Sequence, residues 1–241
     1  MNNISEESAL FQLVLNHADF VIINKASGVS VHRDNQDIGL VDHVAQTLGY
    51  SKLYLVHRLD KMTSGLLILA KSVESNRLLS QMFEKREVSK YYIALSDQKP
   101  KKKQGLIKGD MEKSRGGSWK LVKTHFNPAV TQFFTYSLSD EVSKGLRLFL
   151  LKPHTGKTHQ LRVAMKSVGA TILGDLRYGK ADDVKKVDRG YLHAWSLRFK
   201  YDEEIISVNA LPNTGRLFLH DGLIDTLIGL GEPSKLPWPT L

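Results

Sequence analysis

A succession of short apolar or alternating segments, with few helical segments between them, limits the possible folds of this 241-residue chain more than any other feature. Such segments form strands that pair with their neighbours along the chain, so they favour an α+β fold built on a mainly antiparallel, mixed sheet. The predicted strands span 13–15, 20–23, 53–56, 65–70, 91–95, 119–122, 130–138, 146–151, 191–199 and 205–211. Apolar residues at helical spacing predict helices near 40–48, 73–83, 161–168 and 219–230. The first of these should end at Gly49, and Ser72 is a suitable cap for the second. We expect one large domain, or two lobes that share the sheet, flanked by helices.

The residue types and motifs that are absent exclude several function classes. The sequence contains no cysteine, which excludes disulfides, thiolate catalysis and cysteine-ligated metal sites. Its longest apolar run, 65–70, is far shorter than the roughly 20 residues that cross a bilayer, and no charged-then-apolar signal segment opens the chain. It has no glycine-rich nucleotide motif and no histidine pair with zinc spacing. We therefore expect a cytoplasmic protein without membrane contact, metal or cofactor.

The charge balance indicates a polyanionic partner, because the net charge at pH 7 is +9. Most of the excess lies between Lys99 and Lys123, where nine basic residues, including Lys101, Lys102 and Lys103, accompany two acidic ones. Glycines interrupt this segment, which predicts a mobile basic loop or hairpin able to close over a phosphate backbone. A solvated lysine-rich loop without a partner is the alternative interpretation.

A single carboxylate lies among cations and hydroxyls just before an apolar strand, in the segment from His57 to Lys71. This residue is Asp60, and a carboxylate held partly out of water keeps its charge only when cations or hydrogen-bond donors compensate. A carboxylate held in this way can act as a nucleophile or a base. The alternative is that Asp60 only closes its own turn, as aspartate commonly does.

A second polar cluster lies about a hundred residues downstream, from Lys152 to Arg162, where a predicted strand leads through a turn into a helix. The free amides of the turn, together with Lys157 and Arg162, suit either a phosphate or the carboxylate of Asp60. The alternative is an ordinary helix start with Thr158 as its cap and Arg162 exposed.

Four sequence boxes in a fixed order carry a family resemblance. Residues Asn24 to His32 are similar to NKPxGxxVH, and His57 to Lys71 match HRLDxxTSGLLxLAK. Lys90 to Leu95 and Pro153 to Arg162 are similar to KxYxAL and PxTGRTHQLR. Weaker matches follow at 173–175 and 192–194. Over residues 12–211 the chain resembles the RluA-type family of pseudouridine synthases.

The resemblance implies the pseudouridine synthase fold, with a catalytic cleft between two lobes, and an activity that isomerises a uridine in RNA. It implies that Asp60 is the catalytic carboxylate, which either attacks the ribose or assists glycosidic cleavage before the uracil rotates and rejoins through carbon. Arg162 would form the ion pair that orients Asp60. Tyr92 would pack against the uracil and assist a proton transfer, and Arg58 would fill the space left by the extruded nucleotide. The other expected RNA contacts are His57, Lys157, His159, Lys101, Lys102 and Lys103.

Two departures from the family pattern affect details. Ala26 replaces the usual proline, and Lys157 replaces an arginine, which keeps the charge but loses bidentate phosphate recognition. We expect residues 1–241 to form a single catalytic domain, with a core at 12–211 and a C-terminal extension at 212–241. We expect none of the small S4-like RNA-binding domains that precede the catalytic domain in some family members.

The expected partner is RNA, either 23S-type ribosomal RNA or transfer RNA, rather than DNA, and the expected state is a monomer. No cofactor or metal is implied, since uracil serves as its own leaving group and nucleophile. A catalytically silent RNA-binding protein of the same fold is the first alternative. A carboxylate hydrolase such as a nucleosidase is the second, but it needs a second carboxylate roughly 5–10 Å from the first, and the boxes offer no obvious one.

Overall fold

The computed structural model describes residues 10–31, 39–138, 145–179 and 187–241. His32, the last residue of the first sequence box, lies outside them. The strands are β1 (Phe11–Asn16), β2 (Phe20–Lys25), β3 (Tyr54–Leu55), β4 (Ser64–Ala70), β5 (Ser89–Ser96), β6 (Gln104–Lys113), β7 (Trp119–Val122), β8 (Ala129–Ser137), β9 (Arg147–Pro153), β10 (Leu192–Tyr201) and β11 (Glu204–Asn209). The helices are α1 (Leu40–Thr47), α2 (Val73–Glu84), α3 (Gln160–Ser167) and α4 (Asp221–Leu230).

The eleven strands of the described residues form one sheet, in the order β1-β2-β4-β10-β5-β9-β8-β6-β7. Strand β3 pairs with β4, and β11 pairs with β10. The pairings are antiparallel except between β4 and β10, which run parallel. The prediction of an α+β fold on a mainly antiparallel, mixed sheet is therefore confirmed.

Strand β10 joins two halves of the sheet, each of which has its own apolar core. The first half packs around β2 and β4, whose residues are fully buried because side chains cover both faces. The second half packs around β5 and β9. Helix α2 lies against β4, and α3 lies against β7, β8 and β9. The C-terminal residues 212–241 complete the second core, where Trp238 packs against Tyr91 and Phe134.

The helices begin and end where local chemistry dictates. Ser72 and Ser75 form a reciprocal capping box at the start of α2, since each side-chain oxygen accepts the backbone N–H of the other residue. Helix α1 ends just before Gly49, whose φ of +74° places it in the left-handed region that terminates helices. Both boundaries agree with the sequence analysis.

The basic segment 99–123 forms a hairpin, which was one of the two shapes predicted for it. Strand β6 pairs with β8 on one side and with β7 on the other. The sequence analysis predicted β7 but assigned no strand at the position of β6. Its lysines and glycines are weak strand formers, and the pairing with β8 stabilises the strand instead.

Strands β4 and β10 approach so closely that only glycine fits at their contact. Gly65 pairs with Ala194 and has a φ of +110°. A Cβ atom on Gly65 would lie 2.3 Å from the carbonyl oxygen of Ala194. Because β4 follows directly after the turn that carries Asp60, this contact fixes the position of that turn against the second half of the sheet.

Candidate active site

Asp60 lies in the tight turn between β3 and β4. Its backbone carbonyl accepts a hydrogen bond from the Thr63 N–H at 2.9 Å, which closes the turn, while Leu59 is buried in the core. The side chain of Asp60 is 28% exposed and contacts Arg162. The turn is thus closed by the backbone, and the carboxylate is available for a separate task.

Arg162 bridges two carboxylates. Its Nη1 donates to Asp60 Oδ2 at 3.0 Å, whereas its Nε and Nη2 donate to the two oxygens of Asp175 at 2.7 and 2.8 Å. Burial alone would lower the pKa of Arg162, but hydrogen bonds and charge from Asp175 and Asp60 raise it above its usual value. The guanidinium is only 8% exposed, so it is a fixed cation beside Asp60.

The alternative helix start, with Thr158 as the cap and Arg162 exposed, is wrong. His159 occupies the cap position of α3 with a left-handed φ of 57°, and no side chain caps the helix there. Arg162 is buried because its two carboxylate partners compensate its loss of hydration.

Asp175 is the site residue that the sequence analysis missed. It is completely buried, and it accepts four hydrogen bonds: two from Arg162 and one each from the backbone N–H groups of Arg177 and Tyr178. The only available signal was the weak box match at 173–175, which carries no geometry. Asp175 holds Arg162 in place from the side opposite Asp60.

Tyr92 projects from β5 into the cavity that also contains Asp60. Burial raises the pKa of its phenol, and the charge of Asp60 raises it further. The phenol therefore stays protonated at neutral pH, which makes it a hydrogen-bond donor and an aromatic face rather than a base.

Two adjoining cavities meet at Asp60. One, of about 580 Å³, extends from Asp60 past Tyr92, and the other, of about 1220 Å³, extends toward Arg177 and Arg189. The residues that line both are Arg58, Leu59, Asp60, His159 and Arg162. Together the cavities form a cleft large enough for an extruded nucleotide and parts of its neighbours.

His159 connects this cleft to the basic hairpin. The Trp119 N–H in β7 donates to the Tyr178 hydroxyl at 2.9 Å, and this hydroxyl lies 2.9 Å from His159 Nδ1. The hydroxyl and Nδ1 share one hydrogen bond. The other ring nitrogen, Nε2, lies 4.0 Å from Asp60 Oδ2, beyond hydrogen-bond distance. Burial lowers the pKa of His159, in agreement with a neutral ring.

Residues of the first sequence box support the turn of Asp60. Lys25 is fully buried, and its Nζ donates to the carbonyls of Ala26 and Val29 at 2.8 Å and approaches that of Lys61 at 3.5 Å. Burial is the main reason that the pKa of Lys25 falls to about 7. The carbonyl of Ala26, which a proline at this position would also offer, anchors the ammonium and holds the loop in place.

A second buried network lies where β4 meets β10. His193 Nε2 is 2.7 Å from the Ala210 carbonyl, which can only accept, so Nδ1 accepts from the Ser64 hydroxyl at 2.7 Å. Arg189 Nη2 donates to the same Ser64 oxygen at 2.6 Å. Burial lowers the pKa of His193 to about 3, so its ring is neutral.

The structure brings some of the expected RNA-contacting residues to the cleft and leaves others outside it. Arg58 is exposed and lines both cavities, and Lys157 and His57 line the smaller one. The His57 ring is already engaged, because it stacks on Phe83 and accepts the Ile68 N–H. Burial is the main cause that lowers its pKa to about 3. Of the RNA contacts expected from the sequence, three are exposed but line neither cavity: Lys101, Lys102 and Lys103.

Within the described ranges, no three histidine or acidic side chains are grouped as metal ligands would be. The helices in the same ranges are too short or too polar to span a membrane.

Comparison with known proteins identifies the family. The family model described as RNA pseudouridylate synthase matches residues 19–167, which include the turn of Asp60, Tyr92 and Arg162. The chain belongs to the RNA pseudouridine synthase family. Members of this family are isomerases, in agreement with the resemblance seen in the sequence.

Individual relatives support the same family. The chain is 54% identical over 208 residues to an uncharacterized RNA pseudouridine synthase of Haemophilus influenzae, covering 86% of this chain and 90% of that protein. It is 33% identical over 184 residues to ribosomal large subunit pseudouridine synthase C of Rickettsia felis, covering 76% of this chain but only 60% of that protein.

Solved structures support the fold of this pseudouridine synthase. Human RNA pseudouridylate synthase domain containing 1 aligns with a TM-score of 0.74 and 24% identity, covering 95% of this chain and 97% of that one. Human RNA pseudouridylate synthase domain containing 4 aligns with a TM-score of 0.69 and 25% identity, covering 88% and 92%.

Proposed function

We propose that this pseudouridine synthase isomerises one specific uridine within an RNA chain and that Asp60 is its catalytic carboxylate. The observation that carries the proposal is the Arg162 bridge, which holds one oxygen of Asp60 beside a buried, permanently charged cation at the junction of two cavities. Arg162 donates to Oδ2 of Asp60 at 3.0 Å, and His159 Nε2 lies 4.0 Å from the same oxygen.

The reaction breaks the bond between uracil N1 and ribose C1′ and forms a bond between C5 and C1′. The proton on C5 is lost and N1 gains one, so the product is an isomer of the substrate. Asp60 either attacks C1′ or assists glycosidic cleavage, and both routes need a carboxylate that is ionised and oriented. Arg162 supplies the orientation, and the charge of the guanidinium compensates the partial burial of the carboxylate.

Tyr92 contacts the target base, and Arg58 fills the space that the extruded base leaves in the RNA. Tyr92 offers an aromatic face and a protonated hydroxyl in the smaller cavity. Arg58 is exposed at the mouth of both cavities, and its planar guanidinium is suited to replace the stacking that the extruded uridine gives up. Lys157 and His159 line the same cleft as further contacts to the RNA.

The geometry rules out Asp175 as the second carboxylate that the hydrolase alternative needs. Asp175 is the second carboxylate on Arg162, but it is fully buried and both of its oxygens are hydrogen bonded. It has no access to a substrate and cannot donate a proton to a leaving group. The silent RNA-binding alternative requires a separate explanation for the oriented carboxylate.

The printed names of the relatives suggest where to look for the RNA. Ribosomal large subunit pseudouridine synthases are among them, so large-subunit ribosomal RNA is the first candidate, and transfer RNA is the second. We propose that the protein acts in the cytoplasm as a monomer, that residues 1–241 form one catalytic domain, and that DNA is not a substrate. Lys101, Lys102 and Lys103 would contact RNA outside the cleft.

The test is a map of pseudouridine across cellular RNA, by carbodiimide labelling and primer stops. The cells lack the gene or carry a wild-type, Asp60→Asn or Asp97→Asn copy. Asp97 is an exposed carboxylate that lines neither cavity, so its variant controls for loss of a negative charge. We expect one or a few sites to vanish without the gene and to return with wild type and Asp97→Asn, but not with Asp60→Asn.

Two results would contradict the proposal in different ways. If no site changes, the isomerase activity is refuted, and the silent RNA-binding alternative takes its place. If Asp60→Asn restores the sites, the activity stands but Asp60 is not its catalytic carboxylate. Purified Asp60→Asn protein should still bind the substrate RNA in a filter-binding assay, because the base and backbone contacts remain.

A further inference from the structure

The smaller cavity has a basic end that the isomerase chemistry does not use. Arg86 and Lys90 line this end, while Asp60 and Tyr92 line the other part of the same cavity. Lys90 and Tyr92 are alternate residues of β5, so their side chains project from the same face of the strand. Their Cα atoms are therefore about 7 Å apart. This is a distance that one nucleotide can span.

Lys90 is a buried cation that pairs with no carboxylate among the described residues. It is 8% exposed, and no ion pair joins it to a carboxylate anywhere in residues 10–31, 39–138, 145–179 or 187–241. Its Nζ lies 5.3 Å from the centroid of the Phe83 ring. Burial lowers the pKa of Lys90, and the nearby charge of Arg86 lowers it further. A buried ammonium that also faces a second cation is unfavourable unless an anion joins them.

Arg86 occupies a backbone position at which glycine is normally preferred. It follows the end of α2, its N–H donates to the Phe83 carbonyl at 3.2 Å, and the Glu87 N–H donates to the Met82 carbonyl at 2.9 Å. These two bonds form the Schellman motif, whose central residue is left-handed. Arg86 has a φ of 63° there, which is strained for a residue with a side chain. Strain of this kind is usually retained where the side chain has a task.

From these two observations we propose that Arg86 and Lys90 form a subsite for an RNA backbone phosphate next to the target uridine. The subsite would anchor the chain at the basic end of the cavity while the ribose lies at Asp60. A phosphodiester fits because it supplies one full negative charge and several acceptor oxygens to two cations that have no carboxylate partner in the part of the chain that the structure describes. Glu84 also lines this end, but it forms no ion pair with either cation among the described residues. The subsite rests on the proposed function, and it would fix the direction in which the RNA strand runs through the cleft.

The first experiment compares Arg86→Gly and Lys90→Met with Lys85→Ala. Lys85 is an exposed lysine at the same helix end that lines neither cavity, so its variant removes an equal charge as a matched control. Arg86→Gly relieves backbone strain and Lys90→Met removes a desolvated charge at similar volume, so both proteins should melt at or above the wild-type temperature. A loss of function in either variant would then not reflect unfolding.

The measurements are the affinity for the mapped substrate RNA and its dependence on salt. We expect Arg86→Gly and Lys90→Met each to weaken binding by about tenfold or more, the effect of one lost charge-assisted hydrogen bond. The slope of log affinity against log salt should decrease by about 0.7 to 0.9 in each variant. Lys85→Ala should leave affinity within about twofold of wild type.

A second experiment identifies the ligand as a phosphate. Substrate oligonucleotides carry one neutral methylphosphonate at each position flanking the target uridine. At one position we expect the methylphosphonate to weaken binding by wild type. Arg86→Gly and Lys90→Met already lack the contact, so their affinity should not fall further there. If both variants match wild type in affinity and salt slope while wild type still forms pseudouridine, the subsite is refuted and the activity stands. If the variants bind weakly but still lose affinity at every methylphosphonate position at which wild type does, the cations contact the base or the sugar, and the phosphate assignment is wrong. If wild type forms no pseudouridine, the proposed function fails, and the binding data still report on the subsite.

Discussion

Replacing each of the two carboxylates on Arg162 by its amide should have opposite consequences. Asp175 accepts four N–H groups and is fully buried, whereas Asp60 accepts one bond from Arg162 and is 28% exposed. In Asp175→Asn one carboxylate oxygen becomes an NH₂ group that faces donors, and Arg162 loses its buried counter-ion. Breaking a buried ion pair from one side costs about 3–5 kcal/mol. In Asp60→Asn the pair with Asp175 remains, and we expect a change within about 1 kcal/mol.

Urea unfolding measures the two free energies of unfolding, and single-turnover assays measure pseudouridine formation. Asp60→Asn should be as stable as wild type and inactive. Asp175→Asn should be much less stable, and its turnover should be slower while RNA affinity changes little, because Arg162 no longer holds Asp60 in one orientation. Equal destabilisation by the two variants, or an Asp175→Asn protein as stable and active as wild type, would refute this account of the bridge.

Three further predictions concern other parts of the structure. Burial lowers the pKa of His57 and His193 to about 3 in the folded state, from an ordinary value of about 6.5. Their contribution to stability is therefore complete above pH 6.5 and is lost as the pH falls toward 3. Urea unfolding should show a lower free energy of unfolding at pH 4.5 than at pH 7, and equal values would contradict this account. Gly65→Ala should destabilise the fold by about 2–6 kcal/mol through backbone strain and overpacking, and a thermal midpoint equal to wild type would exclude that contact. Tyr92→Phe should retain more pseudouridine formation than Tyr92→Ala, since stacking on a base contributes about 1–3 kcal/mol; equal losses in single-turnover assays would instead assign the function of Tyr92 to its hydroxyl.

Local signals in the sequence predicted local structure well. The alternating and apolar runs located β2, β4 and β8, and the serine cap and the glycine stop located α2 and α1. These features depend on residues within one element, so periodicity and capping reveal them. The sequence boxes likewise selected Asp60 and Arg162, whose side chains form an ion pair in the structure.

Features that depend on distant pairing were not predictable in this way. Strand β6 exists because it pairs with β8, and its sequence, with two lysines and two glycines in ten residues, has no strand signal of its own. Asp175 gained its importance only when the fold brought four donors to it. The left-handed conformation of Arg86 was also hidden, since a helix end at which arginine replaces glycine leaves no local signature. Each of these requires knowledge of which segments meet in space.

The position of β10 between β4 and β5 has a consequence for how the protein is made. Strand β4 ends at Ala70 and its parallel partner begins at Leu192, so about 120 residues are synthesised between them. At roughly 5–20 residues per second this takes about 6–24 s. Throughout that interval the nascent first half exposes the part of the edge of β4 that later pairs with β10, and the turn of Asp60 has no Arg162 until α3 has been synthesised. A chaperone that shields this edge on the ribosome would therefore raise the yield of active enzyme more than its final stability.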